Sequence, residues 1–403
     1  VGVFTFHTNI LGVNYSASSE AGFVNFDEVA FADLVGDVAD YPILHYSKKQ
    51  VVKAGKALRG SIPHDPDRYD EHVHIFKIAH DWRASHALPM RAIRADLIGR
   101  LRRMEVEGIS AARIKRMLSI RKKLNKEPGT LAQMQDLGGC RAIVKTISDV
   151  NRLIEIYRGL NSFHKIRLDR SYIENPREDG YRSHHFVFEF AGTGDEAAFN
   201  GRRIELQIRS RLQHAWATAV EAVGLVRGED LKGGEGNPNW LRLFTLMSSE
   251  LAEHEGTPVV PGAPSKADRE REIKALNKRL HAINMLENLR LGLQATEEWI
   301  TRNTRYFLIQ YNNRDRTVRV QGYNKPVGAA DSYSQTENAA NAAVTTVLVE
   351  VDKIESLKEA YPNYFLDVRL FTQHLRRVVQ GVAQEEYVKD LSWIRDFTRP
   401  RRG

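Results

Sequence analysis

Tyr172-Ile-Glu-Asn-Pro-Arg-Glu-Asp-Gly-Tyr-Arg-Ser-His-His185 leads into Phe186-Val-Phe-Glu-Phe190, and Arg203-Ile-Glu-Leu-Gln-Ile-Arg209 follows shortly after. Asn175-Pro176 and Asp179-Gly180 are turn-forming pairs, so the chain bends twice before the apolar run begins a strand. That places Tyr181 and His185 at the mouth of a sheet. The second segment alternates strictly, which puts Ile204, Leu206 and Ile208 on a buried face and Glu205, Gln207 and Arg209 together on the other. Such a polar face is either the solvated side of an edge strand or a surface with chemistry to perform.

Working outward, strands are expected at Cys140–Val144, Ile166–Asp169, His185–Phe190 and Ile204–Ile208, with helices over Asp149–Leu160 and Arg211–Val223. Interleaved strands and helices predict an α/β (α+β) core, a mixed β-sheet flanked by helices. Residues 1–104 form an N-terminal, mostly helical region, broken around Pro63-His-Asp-Pro66, and residues 1 to about 45 suggest no chemistry. Helical spacing runs on from Ser47 to about Leu124. The core spans 105–255. Gly256-Thr-Pro-Val-Val-Pro-Gly-Ala-Pro-Ser265 lies in a linker at 256–268, and 269–403 is a small C-terminal α+β domain. Within it a charged helix is expected from Lys266 to Thr301, a hairpin from Tyr306–Tyr311 and Thr317–Gln321, a helix near Thr336–Val344, a strand Thr346–Val351 and a helical tail Tyr364–Phe397.

The chain has 403 residues, 42% hydrophobic and 27% charged, which excludes wholesale disorder. Its net charge of +8 favours a polyanionic ligand, and the distribution matters more than the sum. From Arg91 to Lys126 there are 12 Lys/Arg against Asp96, Glu105 and Glu107. The single cysteine, Cys140, excludes an internal disulfide and suits a reducing, cytoplasmic setting. Its apolar neighbours read as packing rather than nucleophilic chemistry. No apolar run is long enough for a membrane span and no signal-peptide pattern opens the chain.

A third block lies upstream, Ala112-Arg-Ile-Lys-Arg-Met-Leu-Ser-Ile-Arg-Lys-Lys-Leu124, followed by Asp136-Leu-Gly-Gly-Cys-Arg141. On a helix, Lys115, Ser119 and Lys123 would share one face, a cradle for a polyphosphate or simply a solvated basic face. Asp136, just before a strand, could join Glu205 in offering hard oxygen ligands to Mg2+.

Together these blocks resemble the synthetase domain of the RelA/SpoT family of nucleotide pyrophosphokinases over roughly residues 105–225. The matches are Arg113 through Lys123, Asp136 through Arg141, Tyr172 through His185 and Glu205 through Arg209. The resemblance implies a nucleotidyltransferase-like synthetase core that transfers the β,γ-pyrophosphate of ATP to the ribose 3′-hydroxyl of GDP or GTP. It implies ATP-binding roles for Arg113, Lys115, Ser119, Lys123 and Arg141, and a Mg2+ site at Asp136 and Glu205, with Glu205 also the base. Acceptor contacts are implied for Arg177, Tyr181, His185, Gln207, Arg209 and His214. Ser171, Arg177 and His184 depart from the family pattern, all on the acceptor side.

The family's long members add a metal phosphohydrolase. His80-Asp81 lacks the further ligands such a site requires and reads as a helix-surface pair, so the chain resembles a synthetase-only member. Two other functions stay open. One is the family's toxic branch, which pyrophosphorylates the tRNA 3′ end or makes an adenosine alarmone and is restrained by a C-terminal domain or an antitoxin. The other is a non-catalytic nucleotide sensor, disfavoured by intact Asp136, Glu205 and Tyr181. The C-terminal domain would serve oligomerisation or intramolecular regulation.

Overall fold

The computed structural model describes residues 9–10, 13–14, 38–60, 69–159, 164–291, 294–312, 314–339, 344–351, 354–365 and 367–381. The expectations for Pro63–Pro66, for most of residues 1–45 and for the tail beyond 381 lie outside the described residues. None of the described helices is long and apolar enough to cross a membrane.

Among the described residues, the α-helices α1 (Lys48–Ala57), α2 (Tyr69–Ala84) and α3 (Ala87–Arg103) precede the core. Next comes β1 (Gly108–Ile114), where helix was expected to continue, and only then α4 (Met117–Lys126). The core continues with β2 (Gly138–Val144), α5 (Ile147–Gly159), β3 (Lys165–Ser171), β4 (His184–Glu189), β5 (Arg203–Ser210), α6 (Arg211–Arg227) and α7 (Pro238–His254). The remainder is α8 (Lys266–Leu280), α9 (Ala282–Leu291), β6 (Gln294–Glu298), β7 (Tyr306–Asn312), β8 (Thr317–Tyr323), α10 (Pro326–Ala339), β9 (Val344–Glu350), α11 (Ile354–Ala360) and α12 (Arg369–Gln380).

The mixed α/β architecture is as the sequence implies. One nine-stranded sheet runs β3-β4-β5-β2-β1-β9-β7-β8-β6. Its β2–β5 and β8–β6 pairs are parallel and the others antiparallel. β5 is therefore an interior strand, so its polar face is not an edge exposed to solvent. Ile204, Leu206 and Ile208 are fully buried with Phe186 and Phe188 beneath α3 and α5, which leaves Glu205, Gln207 and Arg209 on the sheet's opposite face.

The chain leaves α7 where the linker was expected. The connection is nonetheless packed: Val260 is buried and its N–H donates to Ser249 Oγ, while Arg182 Nη2 donates to the Pro258 carbonyl at 2.6 Å. The charged helix ends in two steps. It breaks at His281 in the left-handed region (φ 49°), resumes as α9, and gives way to β6 before Thr301. The alanine-rich helix starts ten residues earlier than expected, because Pro326 fits a helix's first turn. Beyond the linker the strands do not form a sheet of their own. β9 pairs with β1 through Val349↔Arg113 and Glu350↔Ala112, and Ala111 and Ile143 share a core with Phe307, Ile309, Val347 and Val349. Tyr311 belongs to that packing, and Tyr306, against the Arg91 guanidinium, and Tyr333 on α10 are also buried.

One buried ion cluster fastens this junction. Glu350 Oε1 forms an ion pair with Arg91 Nε at 2.9 Å and accepts from Arg94 Nη1 at 3.3 Å, and Arg94 also donates to the Ser110 carbonyl. Removing the carboxylate leaves two guanidiniums in a site shielded from water. Glu350→Ala is expected to lower the unfolding free energy by about 3–5 kcal/mol. Urea denaturation tests this, and a loss below about 1 kcal/mol would mean that hydration compensates the arginines.

Candidate functional site

Gly180 makes the site's entrance possible. It sits at φ 88°, and a Cβ there would fall 2.9 Å from Ser248 Cβ, so both backbone conformation and space select glycine. Ser248 Oγ donates to the Gly180 carbonyl at 2.6 Å, pinning the turn to α7, and the Tyr181 N–H donates to Asp179 Oδ1 at 2.9 Å. Tyr181 thereby emerges above β4 and β5. Its ring meets Tyr172 and His185 edge-on, at centroid separations of 5.8 and 5.7 Å. The Arg177 and Arg209 guanidiniums lie 5.8 and 5.1 Å from its centroid. Arg177 also pairs with Asp179 at 2.8 Å.

Five of the expected acceptor-side and catalytic residues form one hydrogen-bonded group. Glu205 Oε1 lies 2.9 Å from His185 Nδ1, and Glu205 Oε2 accepts from Gln207 Nε2 at 2.7 Å. Tyr181 Oη lies 2.8 Å from His185 Nε2. Arg209 Nη2 donates to Tyr181 Oη at 2.6 Å and to Gln207 Oε1 at 2.8 Å. Burial alone would push the Glu205 carboxyl up, but the hydrogen bond and charge of His185 hold it below the usual carboxylate range. For His185 burial acts the other way, and Tyr181 and Glu205 outweigh it to raise its pKa.

The donor-side residues gather at the C-terminal end of β1 and around α4. Lys115 is not on the helix, as its spacing with Ser119 and Lys123 implied. It lies in the connection between β1 and α4, since the strand runs to Ile114. Its ammonium still meets that of Lys123: both donate to Asp136 Oδ2, at 2.8 and 3.1 Å. Burial would raise the Asp136 pKa, but the two ammonium groups hold it below its ordinary value. Ser119, in the first turn of α4, is half-buried. The β2–β5 register sets Gly139 opposite Glu205, and the Asp136 charge is felt at Glu205, so the two carboxylates face one site.

Arg113 and Arg141 meet an unforeseen neighbour. Arg141 Nη1 donates to the Ala360 carbonyl at 3.1 Å, and its guanidinium sits 5.3 Å from the Tyr361 ring centroid. Arg113 lies among Tyr364, Tyr361 and Glu221. Burial raises the Glu221 pKa, but Lys232, Arg141 and Arg113 bring its carboxyl far below the ordinary range. His214 is buried on α6. α10 adds a carboxylate: Glu337 Oε1 accepts from the Met117 N–H at 2.7 Å and from Tyr333 Oη at 2.8 Å, while its Oε2 accepts from Arg83 Nη1 at 2.8 Å. Arg116, which precedes α4, makes no side-chain cap, so Glu337 caps this helix from far along the chain.

Seven of the twelve basic residues from Arg91 to Lys126 pair with carboxylates of the same chain, Lys122 and Lys126 at the surface. Arg91 and Arg94 meet Glu350, Arg100 meets Asp96, Lys122 meets Asp230, Lys126 meets Glu235, and Lys115 and Lys123 share Asp136. Cys140 is buried and donates to the Met90 carbonyl, as its packing role implied. His80 sits against Arg83 with its pKa lowered to about 4, chiefly by burial. Among the described residues no cluster of three or more His, Cys, Asp or Glu forms a metal cage.

No curated protein matches the sequence. Solved structures similar to part of the chain include small alarmone synthetase 1 from Bacillus subtilis bound to its product pppGpp. That match has 19% identity and a TM-score of 0.36, and covers 46% of this chain and 94% of that one. A GTP pyrophosphokinase family protein from Streptococcus pneumoniae matches with 23% identity and TM-score 0.35, over 43% and 88% of the two chains. The Type VI effector Tas1, in complex with its immunity protein, matches with 17% identity and TM-score 0.26, over 38% and 66%. The segment that holds the lysines, Asp136, the Tyr181 turn and the β5 face is the one that matches a family: residues 112–224 are similar to the region found in RelA/SpoT proteins.

Proposed function

We propose that the protein is an ATP-dependent pyrophosphokinase that moves the β,γ-pyrophosphate of ATP to the 3′-hydroxyl of GDP or GTP, giving (p)ppGpp and AMP. The observation that carries the reading is Glu205, a half-buried carboxylate held below the usual carboxylate range beside the Lys115–Lys123–Asp136 cluster. The acceptor oxygen attacks the β-phosphorus, its proton passes to Glu205, and the bond from the β-phosphorus to the bridging α-oxygen breaks, so that oxygen leaves with AMP. Lys115 and Lys123 neutralise the triphosphate once they exchange Asp136 for it, and Ser119, Arg113 and Arg141 complete the donor contacts. Tyr181 stacks on the acceptor base, with Arg177 beside it. Asp136 Oδ1 is buried and lacks a hydrogen-bond partner, an oxygen suited to Mg2+ together with Glu205. The ion would neutralise charge on the transferring phosphates.

A restrained enzyme is the form of this reading that the contacts favour. The C-terminal region lies against the donor-side residues through Ala360, Tyr361, Tyr364 and Glu337. A tRNA acceptor draws less support, because the basic run that would guide RNA is mostly engaged by carboxylates of the same chain. The test is incubation with γ-labelled ATP and, separately, GDP, GTP, AMP or tRNA. Label is expected in a guanine nucleotide, more strongly in a Glu337→Ala variant. Label in tRNA alone would move the protein to the RNA-modifying reading, and no label with either protein would overturn the reaction.

A further inference from the structure

With His185 neutral, the hydrogen bonds around Glu205 have one consistent set of directions. A carboxylate accepts, so His185 Nδ1 and Gln207 Nε2 both donate to it. With its amide nitrogen committed to Glu205, Gln207 presents Oε1 to Arg209 Nη2. With its Nδ1 proton on Glu205, neutral His185 presents Nε2 as an acceptor, so the Tyr181 hydroxyl donates to it and takes the second Arg209 Nη2 hydrogen on its oxygen. Two arms therefore start from a single nitrogen of Arg209 and end on the two oxygens of Glu205. One runs through Tyr181 and His185, the other through Gln207. Arg209 itself is only 2% exposed and lies over the Tyr181 ring.

We propose, resting on the pyrophosphokinase reading, that Arg209 is a positioning residue. Through these two arms it sets the plane of the Glu205 carboxylate, and the Tyr181 hydroxyl, not only its ring, is part of the machinery. Arg209, Gln207 and His185 then act on the base rather than as primary ligands of the acceptor. Each Glu205 oxygen accepts one hydrogen bond and keeps a lone pair, so the clamp leaves the carboxylate able to take the 3′-hydroxyl proton. A freely rotating carboxylate would present that lone pair only part of the time.

Tyr181→Phe separates the two roles, since it keeps the ring and removes the hydroxyl. A ring that only stacks leaves this variant unchanged. The two-arm clamp predicts a fall in kcat of about 10- to 100-fold with acceptor KM within about twofold. Tyr181→Ala, which removes the ring as well, should raise KM. Arg209→Met should fall to a similar kcat, and the double variant Tyr181→Phe/Arg209→Met should be no worse than the poorer single one, because both cut the same arm. A readout without substrate is the far-downfield proton resonance of the His185 Nδ1–H, assigned by its loss in His185→Gln. It should move in Tyr181→Phe and in Arg209→Met, although Arg209 does not touch His185. Unchanged kcat in Tyr181→Phe, or an unmoved resonance in both variants, overturns the clamp while leaving the reaction standing. Absence of product from the wild-type and Glu337→Ala proteins with every acceptor overturns the reaction itself.

Discussion

Glu205→Gln is expected to cut pyrophosphate transfer by about 10^3-fold, within the range that loss of a positioned general base produces, while ATP still binds. The side chain keeps its size and stays on the polar face of β5, whose other face is locked by Ile204, Leu206 and Ile208, so the strand has no reason to move. What changes is the chemistry of its two oxygens. One becomes an NH2 that faces a donor, either the Gln207 amide or the His185 ring, so one arm must break or flip. The uncharged amide also cannot take the proton of the 3′-hydroxyl or neutralise a cation. Asp136, Lys115 and Lys123 are untouched, which is why donor binding should persist. Transfer of label from γ-labelled ATP measures the first effect, and calorimetric titration with a non-hydrolysable ATP analogue the second. Full activity in this variant would remove Glu205 from the metal and base roles, and loss of both binding and activity would point instead to a broken fold.

The site was legible where a local pattern carried it. The period-two alternation of Arg203–Arg209 specified which face holds Glu205, Gln207 and Arg209, and Asp179-Gly180 marked the turn that lifts Tyr181. Between Ser47 and Leu124 the same kind of reading went wrong at one strand. Gly108–Ile114 is short, rich in small residues and followed directly by Lys115-Arg116, so no alternation set it apart from the helices around it. Lys115 and Lys123 still converge, through Asp136 rather than a shared helical face. The interior position of β5 was hidden because it depends on β2 and β4 flanking it, and burial on both sides is a tertiary outcome. Least legible was the C-terminal region. The bonds Arg83–Glu337, Met117–Glu337 and Arg141–Ala360 each join residues more than 200 positions apart, and neither partner's surroundings carry a local signal of the other.

Glu337→Ala is expected to raise the rate of pyrophosphate transfer at low ATP by about 10- to 100-fold, the span set by one or two charge-assisted hydrogen bonds that a bound triphosphate must otherwise displace. The carboxylate caps the N-terminus of α4, where unsatisfied N–H groups and the helix dipole favour an anion, and the same helix carries Ser119 and Lys123. Arg83 holds the second oxygen and Tyr333 the first, so Glu337 is fixed there in advance of any ligand. A phosphate and this carboxylate compete for the same kind of site. Removing the carboxylate should therefore lower KM for ATP and leave kcat at saturating ATP nearly unchanged. Loss of a helix cap works in the opposite direction, costing about 1 kcal/mol of stability. The two effects separate on adding ATP: a triphosphate that takes over the cap should restore the melting temperature of the variant more than it raises that of the wild type. Glu337→Gln, which keeps an oxygen for the Met117 N–H but not the charge, should fall between the two proteins. If Glu337→Ala shows an unchanged or higher KM for ATP, the carboxylate is a structural cap alone, and restraint by the C-terminal region would have to act through Tyr361 and Tyr364 or not at all.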